Sequence, residues 1–475
     1  MRQSVFLIVL LAGSGLGAAP PAEDSRQLPV AEFDAEPAEP LQPQAGALFD
    51  PADPFPRVTS LVIHEEPAVS SFGGPIFERP NLTGAWWGAR DALLENGVTF
   101  DVSSTQFYQG VTSGGVNQTF AYTGRDDYLF NLKGDKAGLW KGLLLNLHGE
   151  TRYGKDINDD SGSLLVPPNI GVLFPLPTGT HTALTAVKAT QYLSDDVVVF
   201  GGKLNMLDEL VQPFGAGRGV DAFMNTGLVF PVVLERTVPY STLGAGFAVV
   251  RGTRAVFTAM VFDPHNTPTT SGFENLFTNG AVILSKLDVP VFPCGLPGHQ
   301  GVEGTCSTAT YDSLRSIPYL DANGVPSVKF GTVRGSWSVF YVADQALYVD
   351  PNNSHRSWGV FTNIGVADSN PSPIRWSASF GLGGSSPIVS RPLDTFGVGY
   401  SFVEPSEGLK NLDPQVLPLR ADHAVELFYN IAVTGALRLT PDLQILVPGR
   451  ERTFPPGARP IDTAVIFGLR AKVDF

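Results

Sequence analysis

Apolar and polar residues alternate almost without fault in residues 463–475, at the end of the chain. One face carries Val465, Phe467, Leu469, Ala471, Val473 and Phe475. A period of two is the geometry of a β-strand. Such a strand would suit the core of a soluble sandwich, but an amphipathic last strand with a terminal Phe is also typical of outer-membrane barrels, in which it pairs with the first strand. The pattern therefore makes a barrel the hypothesis to test along the chain.

The same alternation recurs from residue 98 onward, with turn residues between the runs. Clear examples are residues 98–108, 143–153, 197–206, 374–382, 425–433 and 437–447. About 14 to 17 such runs fit a barrel of about 16 strands, which is wide enough for an aqueous channel. The predicted fold class is all-β, a transmembrane antiparallel β-barrel. Three long irregular pieces are predicted to be external or inward-folded loops: 167–180, 290–313 and 401–418.

Polar residues on the opposite strand faces mix both charges with amides and hydroxyls, as a water-filled lumen requires. A charge that faces lipid at mid-membrane costs about 2 to 4 kcal/mol, so these faces are predicted to point inward. The candidate lumen-lining residues are Glu150, Arg152, Lys203, Asn205, Arg438, Asp442, Gln444 and Arg470.

The N-terminal part of the chain has a different composition. Residues 1–18 have a basic start, a short apolar run and small residues, which predicts a secretory signal peptide. Residues 19–80 are rich in Pro and acidic residues, with 11 acidic residues against two arginines between Glu23 and Glu78, and are predicted to be a disordered extension. Residues 81–97 predict a short helix, with Thr83 as N-cap and Gly97 as C-cap. The barrel would then span residues 98–475.

The composition agrees with this scheme. The chain has 51 Gly, 39 Pro and 31 Phe with 16% charged residues, which favours strands, turns and aromatic surfaces. Its mean hydropathy of +0.07 is compatible with a barrel, because only alternate residues meet lipid. The net charge is −14, and no basic patch exists, which excludes nucleic acid as a partner.

The two cysteines, Cys294 and Cys306, are close together in a segment rich in Pro and Gly. Because an exported protein meets an oxidising compartment, a local disulfide between them is predicted. A metal site is the weaker alternative, since only His299 lies nearby.

The residue patterns of the chain give little support for a catalytic function. A barrel lipid hydrolase needs His and Ser on one strand face; a single His-x-Ser occurs, at residues 355–357, and one such pair is weak evidence for a catalytic site. The seven histidines are scattered without metal-ligand spacing. His148 shares a predicted face with Glu150 and Arg152, which is interpreted as pore lining. The glycine runs 215–219 and 381–384 lack the context of phosphate loops. We therefore predict no enzyme, no metal and no cofactor.

Residues 82–101, LTGAWWGARDALLENGVTFD, resemble the opening signature of the OprB-type carbohydrate-selective porins, with Ala89 in place of the second Gly of a Trp-Gly-Gly motif. The closing region is similar as well, at residues 426–430, 441–444 and 465–470. The resemblance implies a 16-stranded outer-membrane porin for passive, mildly selective diffusion of monosaccharides and other small polar solutes. Its partners would be outer-membrane lipid and small sugars. It leaves open whether the barrel works as a monomer or as a homotrimer.

Two other functions compete with this one. A secreted, soluble carbohydrate-binding β-protein needs polar outward strand faces, whereas apolar faces recur here on nearly every strand, more than one core needs. A structural outer-membrane barrel with a plugged lumen stays open, because loops do the plugging.

Overall fold

The computed structural model describes residues 75–77, 79–210, 212–215, 217–251, 254–320, 326–412, 417–454 and 457–475. The signal peptide predicted for residues 1–18 lies outside the described residues. So does nearly all of the predicted extension, 19–80. Both remain predictions.

The described residues contain sixteen strands, which form one closed barrel. Each strand pairs antiparallel with its sequence neighbours, and β1 pairs with β16. The predicted all-β antiparallel barrel is therefore confirmed. The strands are β1 Val98–Gly115, β2 Phe120–Lys133, β3 Leu143–Gly154, β4 His181–Tyr192, β5 Val197–Asn205, β6 Ser241–Arg251, β7 Arg254–Phe262, β8 Val282–Val291, β9 Gly298–Leu320, β10 Pro326–Asp350, β11 Asn353–Ala367, β12 Ile374–Ser385, β13 Thr395–Pro405, β14 Asp422–Ala432, β15 Leu437–Val447 and β16 Asp462–Asp474.

Short helices precede the barrel or connect its strands. Helix α1, Ala89–Glu95, comes before β1, and its N-cap position is Gly88 rather than the predicted Thr83. Gly97 follows it with a φ of 75°, the left-handed conformation that ends many helices. The other helices are α2 Asn158–Ser161, α3 Thr226–Val229 and α4 Glu407–Lys410, with 3-10 turns at Trp86–Gly88, Ile170–Val172, Val232–Leu234, Phe273–Asn275 and Pro293–Gly295. None of the described helices is long and apolar enough to cross a membrane.

The two faces of the wall differ as the alternation requires. In β16, Phe467 and Leu469 are exposed on the outer face, whereas the next residue of the strand, Arg470, is buried inside the barrel. Aromatic pairs lie near both ends of the outer surface: Tyr108–Phe120 and Trp376–Phe402 at one end, Phe247–Phe257 and Tyr348–Trp358 at the other. An apolar band between aromatic girdles is the surface of a transmembrane barrel.

The segment around α1 fastens the strands that close the barrel. Arg90 Nη2 donates to the main-chain oxygen of Phe475 at 2.7 Å, and the Leu82 amide donates to the carbonyl oxygen of Asp474 at 2.8 Å. The Phe475 amide in turn donates to the carbonyl oxygen of Val102 in β1 at 2.8 Å. These contacts hold the residues before β1 against the end of β16.

Replacing Arg90 by Met is expected to lower the free energy of unfolding by about 1 to 3 kcal/mol, because two partly buried hydrogen bonds of its guanidinium group, to the oxygens of Gly84 and Phe475, are lost. Urea unfolding in detergent, followed by tryptophan fluorescence, would measure it. Arg375→Met is the matched control, since Arg375 is exposed and lies 3.9 Å from Glu407. An equal effect of both substitutions would show that Arg90 has no special role.

The predicted disulfide is wrong. Cys294 lies in the turn before β9, and Cys306 lies within β9, paired with Ile283 and Trp337; both are free and exposed. A strand rises about 3.3 Å per residue, so Cys306 lies about 26 Å beyond the start of β9. A disulfide needs Cα atoms about 4.4 to 6.8 Å apart. Proximity in sequence was misleading because an extended strand separates the thiols.

The predicted loops had mixed outcomes. Residues 167–180 connect β3 and β4, as predicted, but most of 290–313 belongs to β8 and β9, and 401–418 begins inside β13. The glycines and small polar residues of β9 have weak β-propensity, so local sequence gave no sign of a strand there. Hydrogen bonding to β8 on one side and β10 on the other holds it extended.

Two connections fold into the barrel, residues 155–180 and 206–240, and we call them the inward segments. Phe223 packs edge-on against Phe428 of β14 and Phe361 of β11, with ring centroids 4.9 and 5.5 Å apart. Ile170, Leu207 and other apolar residues of both segments share this cluster. Apolar packing therefore anchors the inward segments inside the barrel, where they narrow the lumen.

Candidate functional site

A cluster of ion pairs lies on the inner face of β2 and β3. Arg125 Nη2 donates to Asp127 Oδ1 at 2.7 Å and to Glu150 Oε1 at 2.8 Å. All three side chains are fully buried. Asn205 Nδ2 donates to Glu150 Oε1 at 2.9 Å, and the Tyr240 hydroxyl donates to the other oxygen of Glu150. Every charge in this group thus has an opposite charge or a hydrogen-bond donor as its partner, as buried charges require.

His148 joins this cluster to the second inward segment. Its Nε2 lies 2.9 Å from Asp127 Oδ1, and its Nδ1 lies 2.7 Å from Asp208 Oδ2. Arg218 Nη1 donates to Asp208 Oδ1 at 3.0 Å. Asp208 and Arg218 keep 19% and 18% of their side-chain surface exposed, whereas Asp127 and Glu150 keep none. The pair Asp208–Arg218 is therefore the part of the network that a solute can touch.

This accessible pair keeps both charges. Burial raises the pKa of Asp208, but the opposing charges of His148 and Arg218 outweigh burial and lower that pKa to about 2. The pKa of Arg218 is raised by Asp127 and Asp208, although burial opposes this. Asp208 contributes stability above its unfolded pKa of about 3.9 and loses it as pH falls through about 2. Both charges therefore persist at ordinary pH.

Asp127, His148 and Glu150 could be considered as metal ligands, since one ligand atom of each lies within 4.8 Å of the others. Their lone pairs are already engaged: Arg125 binds both carboxylates, and Arg218 Nη1 is 3.8 Å from Asp127. Two guanidinium groups so close disfavour a further cation. The arrangement is an ion-pair network.

The wall formed by β14, β15 and β16 holds the inward segments through their main chain. Glu426 accepts hydrogen bonds from the amides of Met224 and Asn225 at 2.6 and 2.8 Å. Arg470 Nη1 donates to the carbonyl oxygens of Gly219 and Ala222 at 3.1 and 2.8 Å. Gln444 Nε2 donates to the carbonyl oxygen of Pro168 at 2.9 Å, in the other inward segment.

Seven of the eight candidates from the sequence direct their side chains to the inside of the barrel. Glu150 and Asn205 belong to the ion-pair network, and Arg152 pairs with Asp156 beside it. Asp442 and Gln444 of β15 and Arg470 of β16 are buried against the inward segments. Arg438 lies at the barrel end at which β1 begins and β16 ends, 2.7 Å from Asp474, and is 38% exposed.

Lys203 is the exception. It pairs across the sheet with Val187, which is exposed on the outer face, and its Nζ donates to the carbonyl oxygens of Leu184 and Thr270. The alternation was assigned to the wrong face over residues 198–203: Val198 and Phe200, which the alternation placed on the lipid face, are buried, and Lys188 lies over the Phe200 ring. Asn205, the last residue of β5, nevertheless reaches the ion-pair network. A one-residue phase error reverses a strand's faces. The outer position is tolerated because the 263–281 connection covers Lys203.

Sequence reasoning missed Arg125, Asp127, Asp208 and Arg218. For the first two a signal existed: Thr123, Arg125 and Asp127 alternate with Tyr122, Gly124 and Tyr128 in β2. Arg218 lies in a glycine run that was treated as a turn. Nothing in the local pattern reveals that this connection folds into the lumen.

The comparisons with known proteins agree with this geometry. The family model described as carbohydrate-selective porin, OprB family, matches residues 117–475. The chain belongs to this family. The high-pH structure of Pseudomonas putida OprB is similar with a TM-score of 0.71 at 21% identity, covering 85% of this chain and 100% of that chain. Its low-pH structure is similar with a TM-score of 0.51 at 16% identity, covering 84% and 99%. These likenesses support the fold. No curated protein matches the sequence significantly.

The porin is therefore a carbohydrate channel of the bacterial outer membrane and not an enzyme. In such barrels the short turns face the periplasm and the long connections face outward. The end at which β1 begins and β16 ends carries short turns such as 193–196 and 351–352, while the inward segments start from the other end. A solute from outside thus meets the inward segments before the periplasmic mouth.

Proposed function

We propose that the Asp208–Arg218 pair forms the selective part of the path for monosaccharides and other small polar solutes. The observation that carries this proposal is the partial exposure of these two side chains beside a fully buried network. Glu150, Asn205 and His148 hold the pair in place, so it presents a fixed donor and a fixed acceptor to the lumen. Fixed groups bind without the entropic cost of ordering them.

Such a pair suits uncharged, hydroxylated solutes. A sugar that enters a narrow lumen loses water, and its hydroxyls can exchange hydrogen bonds with water for bonds to the guanidinium and the carboxylate. Because the two charges cancel, neither anions nor cations gain a large advantage. Each contact is weak enough for release, which passive diffusion needs.

The other predicted parts of the protein fit this proposal. Residues 1–18 would direct export, residues 19–80 would be a solvated extension, and residues 98–475 would form the channel in outer-membrane lipid. Assembly as a homotrimer stays a prediction, which light scattering of the detergent-solubilised porin would test.

Replacing Arg218 by Ala is expected to reduce the preference for sugars over amino acids of matched size by up to about tenfold, because a charged hydrogen-bond donor is lost. Swelling of liposomes that contain the purified porin would measure uptake of each solute. Arg391→Ala is the control, since the Arg391–Asp394 pair lies in the 386–394 turn at the periplasmic end. Unchanged preference in a folded Arg218→Ala porin would contradict the proposal.

A further inference from the structure

A second polar cavity lies inside the barrel, away from the ion-pair network. It has a volume of about 130 Å³ and lies between the second inward segment and the inner face of β7 to β11. Arg254, Asp288 and Asn363 line it from the wall, while Pro231 and Leu234 line it from the inward segment. Arg254 begins β7 and Asp288 lies near the end of β8, so the cavity extends toward the periplasmic mouth.

The Arg254–Asp288 pair leaves hydrogen-bonding capacity unused. Arg254 Nε and Nη2 both donate to Asp288 Oδ2, at 3.2 and 2.6 Å. The side chains are only 7% and 6% exposed, yet Arg254 Nη1 and Asp288 Oδ1 have no hydrogen-bond partner among the described residues. Asn363 Oδ1 is also buried without a partner. Buried groups in this condition are costly unless a water or a ligand binds them.

These free atoms have a specific chemical complement. The free donor on Arg254 and the free acceptor on Asp288 match two hydroxyl groups of one solute, one accepting and one donating. Pro231, Leu234 and Phe340 supply apolar surface for the C–H face of a ring. Lys286 and Glu303 add one charge of each sign to the lining, and Glu209, the third acidic residue there, is paired with Lys188.

We propose that this cavity is a second carbohydrate-binding station, which recognises hydroxyl groups of a sugar through Arg254 and Asp288 after the solute has passed Asp208 and Arg218. The inference rests on the proposed function, because sugars must first reach the lumen. A weak station near the periplasmic mouth gives the solute a second exchange of water for protein hydrogen bonds before release.

The test is block of the ion current by D-glucose through the porin in planar bilayers. Arg254→Met is expected to raise the half-blocking glucose concentration about tenfold, since a charged hydrogen-bond donor is lost. Arg254→Met with Asp288→Leu replaces both partners, leaves no unpaired member of the pair and should give the same shift. Arg251→Met is the matched control: its partner Asp196 lies at the neighbouring turn, and both side chains are more than half exposed.

The hydroxyl groups themselves are tested with cyclohexane-1,4-diol and cyclohexanol, which share the same ring. The parent porin should be blocked at lower concentration by the diol than by cyclohexanol, and Arg254→Met should reduce this difference. Parent-like block in both folded lumen variants would overturn the second station while sugar uptake continued. Absence of sugar uptake by the folded parent would instead overturn the proposed function.

Discussion

Replacing Arg125 by Met is expected to lower the free energy of unfolding of the barrel by about 3 to 5 kcal/mol. The substitution removes the cation that Asp127 and Glu150 share at 2.7 and 2.8 Å. Both carboxylates are fully buried, so two negative charges would remain close together without their main partner. Removing one partner of a buried ion pair leaves the desolvation cost of the other in place.

Urea unfolding of the porin in detergent, followed by tryptophan fluorescence, would measure this loss. The control is again Arg375→Met on the exposed surface, for which a change within about 0.5 kcal/mol is expected. A loss from Arg125→Met no larger than the control's would mean that the network does not stabilise the barrel. Glu150→Gln with Arg125→Met should recover part of the loss, because one of the unpaired charges is removed.

Replacing Arg470 by Met is expected to raise the single-channel conductance and reduce the preference for sugars over matched amino acids. Arg470 donates to the carbonyl oxygens of Gly219 and Ala222, which follow Arg218 in the second inward segment. Charged hydrogen bonds of this kind contribute about 1.5 to 3 kcal/mol, and their loss would let residues 217–225 move in the lumen.

Planar-bilayer recordings give the conductance, and liposome swelling gives the preference. Arg438→Met is the control from the same wall, because the hydrogen bond of Arg438 goes to Asp474 at the mouth. If Arg470→Met kept the conductance and preference of the parent, contacts other than the Arg470 hydrogen bonds would have to position this segment. The apolar cluster around Phe223 would then be the first alternative.

The candidate site was predictable where a strand kept its alternation. Glu150, Arg152, Asp442, Gln444 and Arg470 were all assigned to the correct face, because a misplaced charge in the wall is costly. Lys203 was assigned to the wrong face. Its charge can lie on the outer face of β5 because the 263–281 connection covers the side chain and accepts its hydrogen bonds. Cys306 was misjudged for a related reason: a strand of small residues looks like a loop until its two neighbours are known.

The sequence by itself determined the barrel, its approximate strand number, the closing strand and the family. Each of these depends on period-two patterns or short motifs, which can be recognised within a short stretch of sequence. Only the tertiary structure decided which groups meet in the lumen. Arg125 and His148 lie on the paired strands β2 and β3, whereas Arg218 reaches His148 because the 206–240 connection folds inward and packs on the wall. Long-range packing sets that contact, and no local pattern records it.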